Sequence, residues 1–187
     1  QLFLLLCDGM GSGPGAKQES AQAAKLLENF LRAGMAAQEA VETVSSALAL
    51  RGEAGGSTTI DLLSVDLFTG KCAVHKQGAA PTYVRRDKRI QCAVGASLPA
   101  GIVTGEQAKP DVHRFRGAQG DWIVMVTDGI LCGRDDQWIR DLLASYQGDS
   151  PSDLAQRILR QSQDLCQGED DGTVLAVHLE RSRDPLG

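Results

Sequence analysis

Aspartates border three separate apolar runs of the sequence. Asp8 and Asp128 each follow such a run and are followed by glycine, while Asp170 and Asp171 directly precede the third. Any one of them could be an ordinary turn residue, because Asp-Gly is a common turn dipeptide. Carboxylates gathered at one sheet edge repel each other, and a divalent cation relieves that repulsion. Oxygen ligands suit Mg²⁺ or Mn²⁺ rather than Zn²⁺, so the pattern predicts such a metal site.

The elements that must position these aspartates follow from hydrophobic periodicity. Two helices, over 16–34 and 36–51, follow the first strand, and Gly34 is a plausible end for the first helix. Two more helices, a stripe over 138–146 and one starting at Ser150-Pro151, precede the last strand. Grouped helices favour an α+β fold with largely antiparallel sheets. Strands are predicted over 2–7, 57–65, 72–75, 81–85, 89–93, 112–116, 121–127 and 173–179, with an irregular loop over 94–110.

Length and charge narrow the function classes. The chain has 187 residues, which suits one domain over 1–180 and a flexible polar tail over 181–187. Its net charge is −5, and the small basic cluster at 85–89 is interpreted as a solvated turn, so nucleic-acid binding is not expected. No apolar run reaches the roughly 18–20 residues that span a bilayer, so no membrane contact by this chain is expected. The abrupt apolar start suggests that strands lie upstream.

The five cysteines are Cys7, Cys72, Cys92, Cys132 and Cys166. Their number is odd and no C-x-x-C pair occurs, which favours reduced thiols in the cytoplasm and argues against a zinc site. None has an arginine six residues later, as cysteine-dependent phosphatases require. We therefore interpret all five as small core residues.

A nucleotide-binding alternative comes from the glycines at 11–16, which match G-x-G-x-x-A between a strand and a helix. That fold needs a second, parallel strand after the first helix, whereas here a second helix follows. A phosphate-binding P-loop is excluded, because no Gly-Lys-Ser/Thr sequence occurs.

The ordered motifs resemble the PP2C (PPM) class of metal-dependent Ser/Thr protein phosphatases, and within it the stage II sporulation protein E phosphatase domains. The resemblance covers nearly the whole chain and rests on the order of motifs that are each weak alone. The matching segments are CDGMGSG at 7–13, AKQESAQAAKLLENFLRAG at 16–34, STTIDLLSVDLFTG at 57–70, GAAP at 78–81, LPAG at 98–101, GDWIVMVTDGI at 120–130 and EDDGTV at 169–174.

This resemblance implies an αββα sandwich with a binuclear Mn²⁺ or Mg²⁺ centre. Asp8 matches the bridging aspartate of the family, with the Gly9 carbonyl as a further ligand, and Asp128 and Asp170 match the other metal-binding aspartates. These three aspartates are the expected catalytic residues. A hydroxide bridging the two metals would then attack phosphorus directly.

The resemblance also implies a phosphoserine or phosphothreonine substrate, namely a phosphorylated anti-sigma-factor antagonist in sporulation or stress signalling. It implies a cytoplasmic domain, a parent protein anchored in the membrane upstream, and the option of a homodimer. Two departures from the family pattern stand out: Met10 replaces a histidine that many eukaryotic members carry, and the chain begins too late to show the acidic residue that the family carries on a strand before Asp8. The alternative function is a non-catalytic binding module with the same fold.

Overall fold

The protein is described by a computed structural model that covers residues 1–11, 13–51, 56–166 and 171–180. Asp170 and the predicted tail over 181–187 lie outside the described residues. The chain forms two compact units, each built from two segments. The first unit comprises 1–81 and 93–115, and the second comprises 82–92 and 116–187.

Within the described residues, eight strands and four helices follow one another in the predicted order. They are β1 (Leu2–Gly9), α1 (Pro14–Arg32), α2 (Ala37–Ala49), β2 (Thr58–Val65), β3 (Lys71–Gln77), β4 (Thr82–Arg86), β5 (Arg89–Ala93), β6 (Asp111–Arg116), β7 (Trp122–Val126), α3 (Gln137–Ser145), α4 (Pro151–Cys166) and β8 (Val174–His178). Within the predicted loop at 94–110, residues Gly105–Ala108 form a short 3-10 turn. No helix of the described residues is long and apolar enough to cross a membrane.

The first unit holds a four-stranded sheet in the order β1-β2-β3-β6. β1 pairs antiparallel with β2, and β2 antiparallel with β3. This pairing excludes the dinucleotide-binding alternative, which requires a parallel strand after the first helix. Apolar residues spaced three or four apart along α1 and α2 form a buried stripe on each helix. They pack against β2 in one core cluster of Ala23, Leu27, Ala40, Val41, Val44, Leu48, Ile60, Leu62 and Ala100.

Helix α1 is terminated by Gly34, as predicted. Gly34 has φ 87°, a left-handed conformation that costs glycine little. The N–H of Gly34 donates to the carbonyl of Leu31, and the N–H of Met35 donates to the carbonyl of Phe30, each at 3.0 Å. This pair of bonds is a Schellman motif, which satisfies the last carbonyls of the helix and turns the chain towards α2.

The second unit holds a four-stranded sheet in the order β5-β4-β7-β8. All five residues of β7 are buried, and β7 pairs antiparallel with both β4 and β8. Helix α4 buries Leu154, Ile158, Ser162 and Cys166, which repeat every four residues along one face. The predicted α+β class with antiparallel sheets is therefore confirmed.

Residues 86–89 of the basic cluster are exposed, as predicted, and two of its arginines also make structural bonds. Arg85 donates to the carbonyls of Leu143 and Tyr146, both at 2.9 Å, at the end of α3. Arg86 forms an ion pair with the buried Asp121 at 2.7 Å. The Arg85 bonds link β4 to the end of α3, and the Arg86 ion pair links β4 to the start of β7.

The prediction that all five cysteines are free thiols is wrong for two of them. Cys132 and Cys166 form a disulfide, whereas Cys7, Cys72 and Cys92 are not disulfide-bonded. The two partners are 34 residues apart in sequence. Their pairing follows from the way α4 packs against the turn after β7, and this long-range contact leaves no signal in cysteine spacing.

Candidate metal centre

Asp8 and Gly9 are the last two residues of β1, in the first unit. Two threonines at the start of β2 hold the backbone of Asp8. Thr59 Oγ1 accepts a hydrogen bond from the Asp8 N–H at 3.1 Å, and Thr58 Oγ1 donates to the Asp8 carbonyl at 2.8 Å. Thr58 itself is fully buried. Because both backbone groups of Asp8 are bonded, the strand end that carries its carboxylate is fixed on both sides.

Gly9 lies directly beneath the first turns of α1. A Cβ atom placed on Gly9 would overlap the backbone carbonyl of Ala16. Only a residue without a side chain lets the helix approach the strand this closely. The glycine after Asp8 is therefore required by packing, in addition to any role of its carbonyl as a ligand.

The negative charges near the end of β1 act on Cys7. Burial, followed by the charges of Asp61 and Asp8, raises the pKa of the Cys7 thiol to about 12. The thiol therefore stays protonated at neutral pH, and the thiolate is the form that attacks phosphorus or binds metal. Asp61 forms a buried ion pair with Lys76, whose Nζ lies 2.7 Å from Asp61 Oδ2. The interpretation of Cys7 as a core residue agrees with this environment.

Asp128 begins a 3-10 turn, Asp128–Ile130, that directly follows β7 in the second unit. Its side chain is exposed, while Thr127, Gly129 and Ile130 around it are buried. Asp128 Oδ1 accepts a hydrogen bond from the Gly129 N–H at 3.1 Å, and its carbonyl accepts from Leu131 and Cys132. The turn therefore holds the backbone and leaves a carboxylate facing solvent, as a metal ligand requires.

The segment of the third aspartate motif meets the Asp128 turn at one edge of the second sheet. The Thr127 N–H donates to the carbonyl of Thr173 at 3.1 Å, and the Thr173 N–H donates to Thr127 Oγ1 at 3.0 Å. A Cβ on Gly172 would collide with the Ile130 side chain, so the two chains are in close contact. Asp171 is exposed beside them. The structure thus brings the Asp128 and Asp171 segments together.

The predicted ligand set is only partly covered by the described residues. Asp8, Gly9 and Asp128 are described, and Asp170 is not. Among residues 1–11, 13–51, 56–166 and 171–180, no group of three or more His, Cys, Asp or Glu side chains could hold a metal ion. The donors predicted from sequence are carboxylates and one carbonyl, and such a set fits Mg²⁺ or Mn²⁺.

Sequence reasoning missed several residues that shape this site. Thr58 and Thr59 hold Asp8, and Thr127 and Thr173 join the two strands beside Asp128. Ser162 of α4 donates to the carbonyl of Ile130 at 2.9 Å. The Thr58-Thr59 pair at the start of a predicted strand is visible in the sequence. That these threonines bond Asp8 could not be predicted, because it depends on the register between β1 and β2.

A family model described as "Stage II sporulation protein E (SpoIIE)" matches residues 1–180 of the chain. Stage II sporulation protein E of Bacillus subtilis (strain 168) is 28% identical over 184 residues, which cover 95% of this chain and 22% of that protein. The Priestia megaterium protein of the same name is 27% identical over 186 residues, which cover 96% of this chain and 32% of that protein. The chain therefore spans less than a third of one relative and about a third of the other.

Solved structures show the same fold. The PP2C phosphatase domain of SpoIIE from Bacillus subtilis, solved with a fragment of its regulatory domain, has a TM-score of 0.86 and 28% identity over 96% of this chain and 55% of that chain. A second crystal form of that phosphatase domain, without domain swapping, has a TM-score of 0.73 and 26% identity. The match covers 99% of this chain and 82% of that chain. RsbX in complex with magnesium shares the fold, with a TM-score of 0.73 and 19% identity over 93% and 79%. The predicted PP2C-like fold is thus confirmed, and the chain belongs to the stage II sporulation protein E family.

Proposed function

We propose that this chain is a divalent-metal-dependent phosphoprotein phosphatase that hydrolyses phosphoserine or phosphothreonine. The observation that carries the proposal is the family match over residues 1–180, together with an Asp-Gly pair at the end of β1 and another after β7. The match supports the reaction class, and the two aspartates supply the oxygen donors that a divalent cation needs.

Asp8, the Gly9 carbonyl, Asp128 and Asp170 are the proposed ligands of two Mn²⁺ or Mg²⁺ ions. When bound, such ions lower the pKa of water and offset charge on phosphate oxygens. RsbX, which shares the fold, has been solved in complex with magnesium. The role of Asp8 is supported by the hydroxyls of Thr58 and Thr59, which fix its backbone in place.

The chain's own residues limit how the leaving group can be protonated. Met10 stands two residues after Asp8 and carries no transferable proton. The Cys7 thiol is partly buried, and its raised pKa keeps the proton on the sulfur at neutral pH. In the proposed reaction the leaving-group proton therefore comes from water or from a group outside the first aspartate motif.

The proposed substrate is a phosphorylated anti-sigma-factor antagonist, and the proposed compartment is the cytoplasm. Both follow from the sporulation protein family rather than from any contact in this chain. We further propose that the parent protein is anchored in the membrane through segments upstream of residue 1. Self-association into a homodimer can be tested by sedimentation of the purified chain.

Phosphate release from a phosphoserine protein, measured with and without Mn²⁺, tests the function. We expect release that needs Mn²⁺ and falls at least 100-fold in the Asp128→Asn variant, which keeps the side-chain shape but removes the charge. The matched control is Asp149→Asn, because Asp149 is exposed and lies in the loop before α4. That variant should keep its full rate.

Three results would count against the proposal. Metal-independent release would exclude the proposed chemistry, and an unchanged rate in Asp128→Asn would remove Asp128 from the site. No release by the wild-type chain, with Mn²⁺ present and the protein folded, would favour the alternative of a binding module with the same fold.

A further inference from the structure

The disulfide of the second unit joins the Asp128 turn to the end of α4. The Cα atoms of Cys132 and Cys166 lie 5.9 Å apart, within the range that disulfides require. Cys132 follows Asp128 by four residues, and its N–H donates to the Asp128 carbonyl at 3.0 Å. Cys166 is the last residue of α4 and precedes Asp170 by four residues. The bond therefore ties the turn that carries Asp128, a proposed metal ligand, to the end of α4.

Both sulfur atoms lie against the backbone of the Asp128 turn. Cys132 Sγ is 3.3 Å from the carbonyl oxygen of Gly129, and Cys166 Sγ is 3.8 Å from that of Ile130. One turn earlier on α4, Ser162 donates to the same Ile130 carbonyl. The last turn of α4 thus contacts the Asp128 turn through one hydroxyl group and one sulfur atom.

The backbone of Cys132 has an unfavourable left-handed conformation that its surroundings must hold in place. Cys132 has φ 51°, one of two positive values among the described residues other than glycine, and Gly133 follows with φ 64°. The left-handed region is unfavourable for an L-residue with a side chain, and such a residue persists when its surroundings hold it there. The disulfide supplies such a restraint, at the point where the chain leaves the Asp128 turn.

The two cysteines differ in access. Cys166 is 6% exposed, whereas Cys132 is only partly buried. An exchange reagent can therefore reach Cys132 first, and Cys166 is placed to complete the exchange. This division into an attacking and a resolving thiol is typical of reversible redox sites.

We propose that Cys132 and Cys166 form a reversible redox site that clamps the Asp128 turn. In the cytoplasm a disulfide of this kind is regulatory rather than permanent. The oxidant is a low-molecular-weight disulfide such as oxidised glutathione. The Cys132 thiolate attacks it and releases one thiolate, and the Cys166 thiolate then attacks Cys132 Sγ and releases the second. Two protein thiols are oxidised, one reagent disulfide is reduced to two thiols, and the two protons from the cysteines end on the released thiolates.

The clamp has a consequence for metal binding, and this step rests on the proposed function. A ligand segment that is already ordered loses less freedom when it binds, so its affinity is higher. The oxidised form should therefore bind Mn²⁺ more tightly than the reduced form, by about threefold or more.

The test uses the folded chain equilibrated with oxidised or with reduced glutathione. Alkylation followed by mass spectrometry counts the thiols, and we expect three in the oxidised form and five in the reduced form. Amide hydrogen exchange of residues 128–134 should be at least tenfold slower in the oxidised form. Calorimetric titration then gives the Mn²⁺ affinity of each form. The Cys166→Ser variant should lose the redox dependence, and Cys92→Ser, which removes a free cysteine of the same unit, should keep it.

The failures of the inference and of the proposed function are distinguishable. Five reactive thiols under both conditions, or equal exchange rates, would overturn the redox clamp. Equal but measurable Mn²⁺ affinities would overturn only the coupling to metal. Absence of Mn²⁺ binding in both forms would overturn that coupling and the proposed function together.

Discussion

At the scale of single residues, hydroxyl groups and small residues surround Asp8 and Asp128. Thr58 and Thr59 bond the backbone of Asp8, and Thr127 accepts a bond from the strand that runs beside Asp128. Gly9 and Gly172 lie where a side chain would collide with a neighbouring segment. The position of each of these two aspartates is therefore set by hydrogen bonds to the backbone around it.

The contact between Gly9 and α1 predicts a large loss of stability in Gly9→Ala. The added methyl would overlap the Ala16 carbonyl, and a rigid backbone cannot move aside cheaply. We expect the free energy of unfolding to fall by at least about 2 kcal/mol in urea titrations. Gly15→Ala is the matched control, because open space surrounds Gly15 and alanine favours a helix. A Gly9→Ala variant as stable as wild type would contradict this packing.

His75 predicts a pH dependence of stability. It is 4% exposed, and burial, followed by the charge of Arg114, lowers the pKa of its imidazole to about 4. The unfolded chain keeps a histidine pKa of about 6.5, so between these values it binds a proton that the folded chain does not. Stability is therefore full above pH 6.5 and falls as the pH drops towards 4.

We expect His75 to account for a loss of about 2 kcal/mol between pH 7.5 and pH 5. Urea unfolding at the two pH values measures it, and His75→Gln should lose most of this difference. His113→Gln serves as the control from the same sheet. A pH dependence that is equal in wild type and His75→Gln would show that His75 is not responsible.

Single-residue features were the hardest to predict from the sequence. Asp8 and Asp128 were predicted as ligands because each follows an apolar run, which is a local pattern, and this role stays a prediction. The disulfide was missed, because its partners meet only after α4 packs on the Asp128 turn. The ion pair between Lys76 and Asp61 was missed for a similar reason, since it depends on the cross-strand register of β2 and β3.

At the scale of elements, residue types at helix ends and turns were largely sufficient to predict where each helix and hairpin turn lies. Gly34 ends α1, and the connection between β2 and β3 is the Asp66 turn, in which the Asp66 carboxylate accepts N–H bonds from Phe68 and Thr69. These bonds form between near neighbours in sequence, so local composition predicts them. Strand ends differ from prediction by one or two residues, because hydrogen bonds to the neighbouring strand decide where each one stops.

The start of α4 predicts a measurable capping energy. The Asp153 N–H donates to Ser150 Oγ at 3.3 Å, and the Leu154 N–H donates to the Ser150 carbonyl, so Ser150 is the N-cap residue ahead of Pro151. Ser150→Ala should lower the free energy of unfolding by about 1 kcal/mol, measured by thermal or urea unfolding. The control is Ser152→Ala, at an exposed position inside the first turn. Equal stabilities of the two variants would contradict the cap.

At the scale of the whole molecule, neither compact unit is a continuous segment. The chain passes from the first unit to the second at residue 82, returns at 93 and leaves again at 116. A truncation at any one point therefore removes part of both units or leaves one of them incomplete. Experiments on the proposed metal ligands consequently need the full chain.

Reduction of the disulfide should lower the stability of the molecule. The bond closes a loop over 132–166 that contains α3 and α4, and closing a loop of this length restricts the unfolded chain far more than the folded one. We expect the free energy of unfolding to fall by about 2–4 kcal/mol after reduction, with urea unfolding of both forms as the measurement and thiol counting to confirm each state. The Cys166→Ser variant should match the reduced wild type and should not respond to reductant. If fully reduced wild type unfolds at the same urea concentration as the oxidised form, the bond does not stabilise the fold, and its remaining effect would be local to the Asp128 turn.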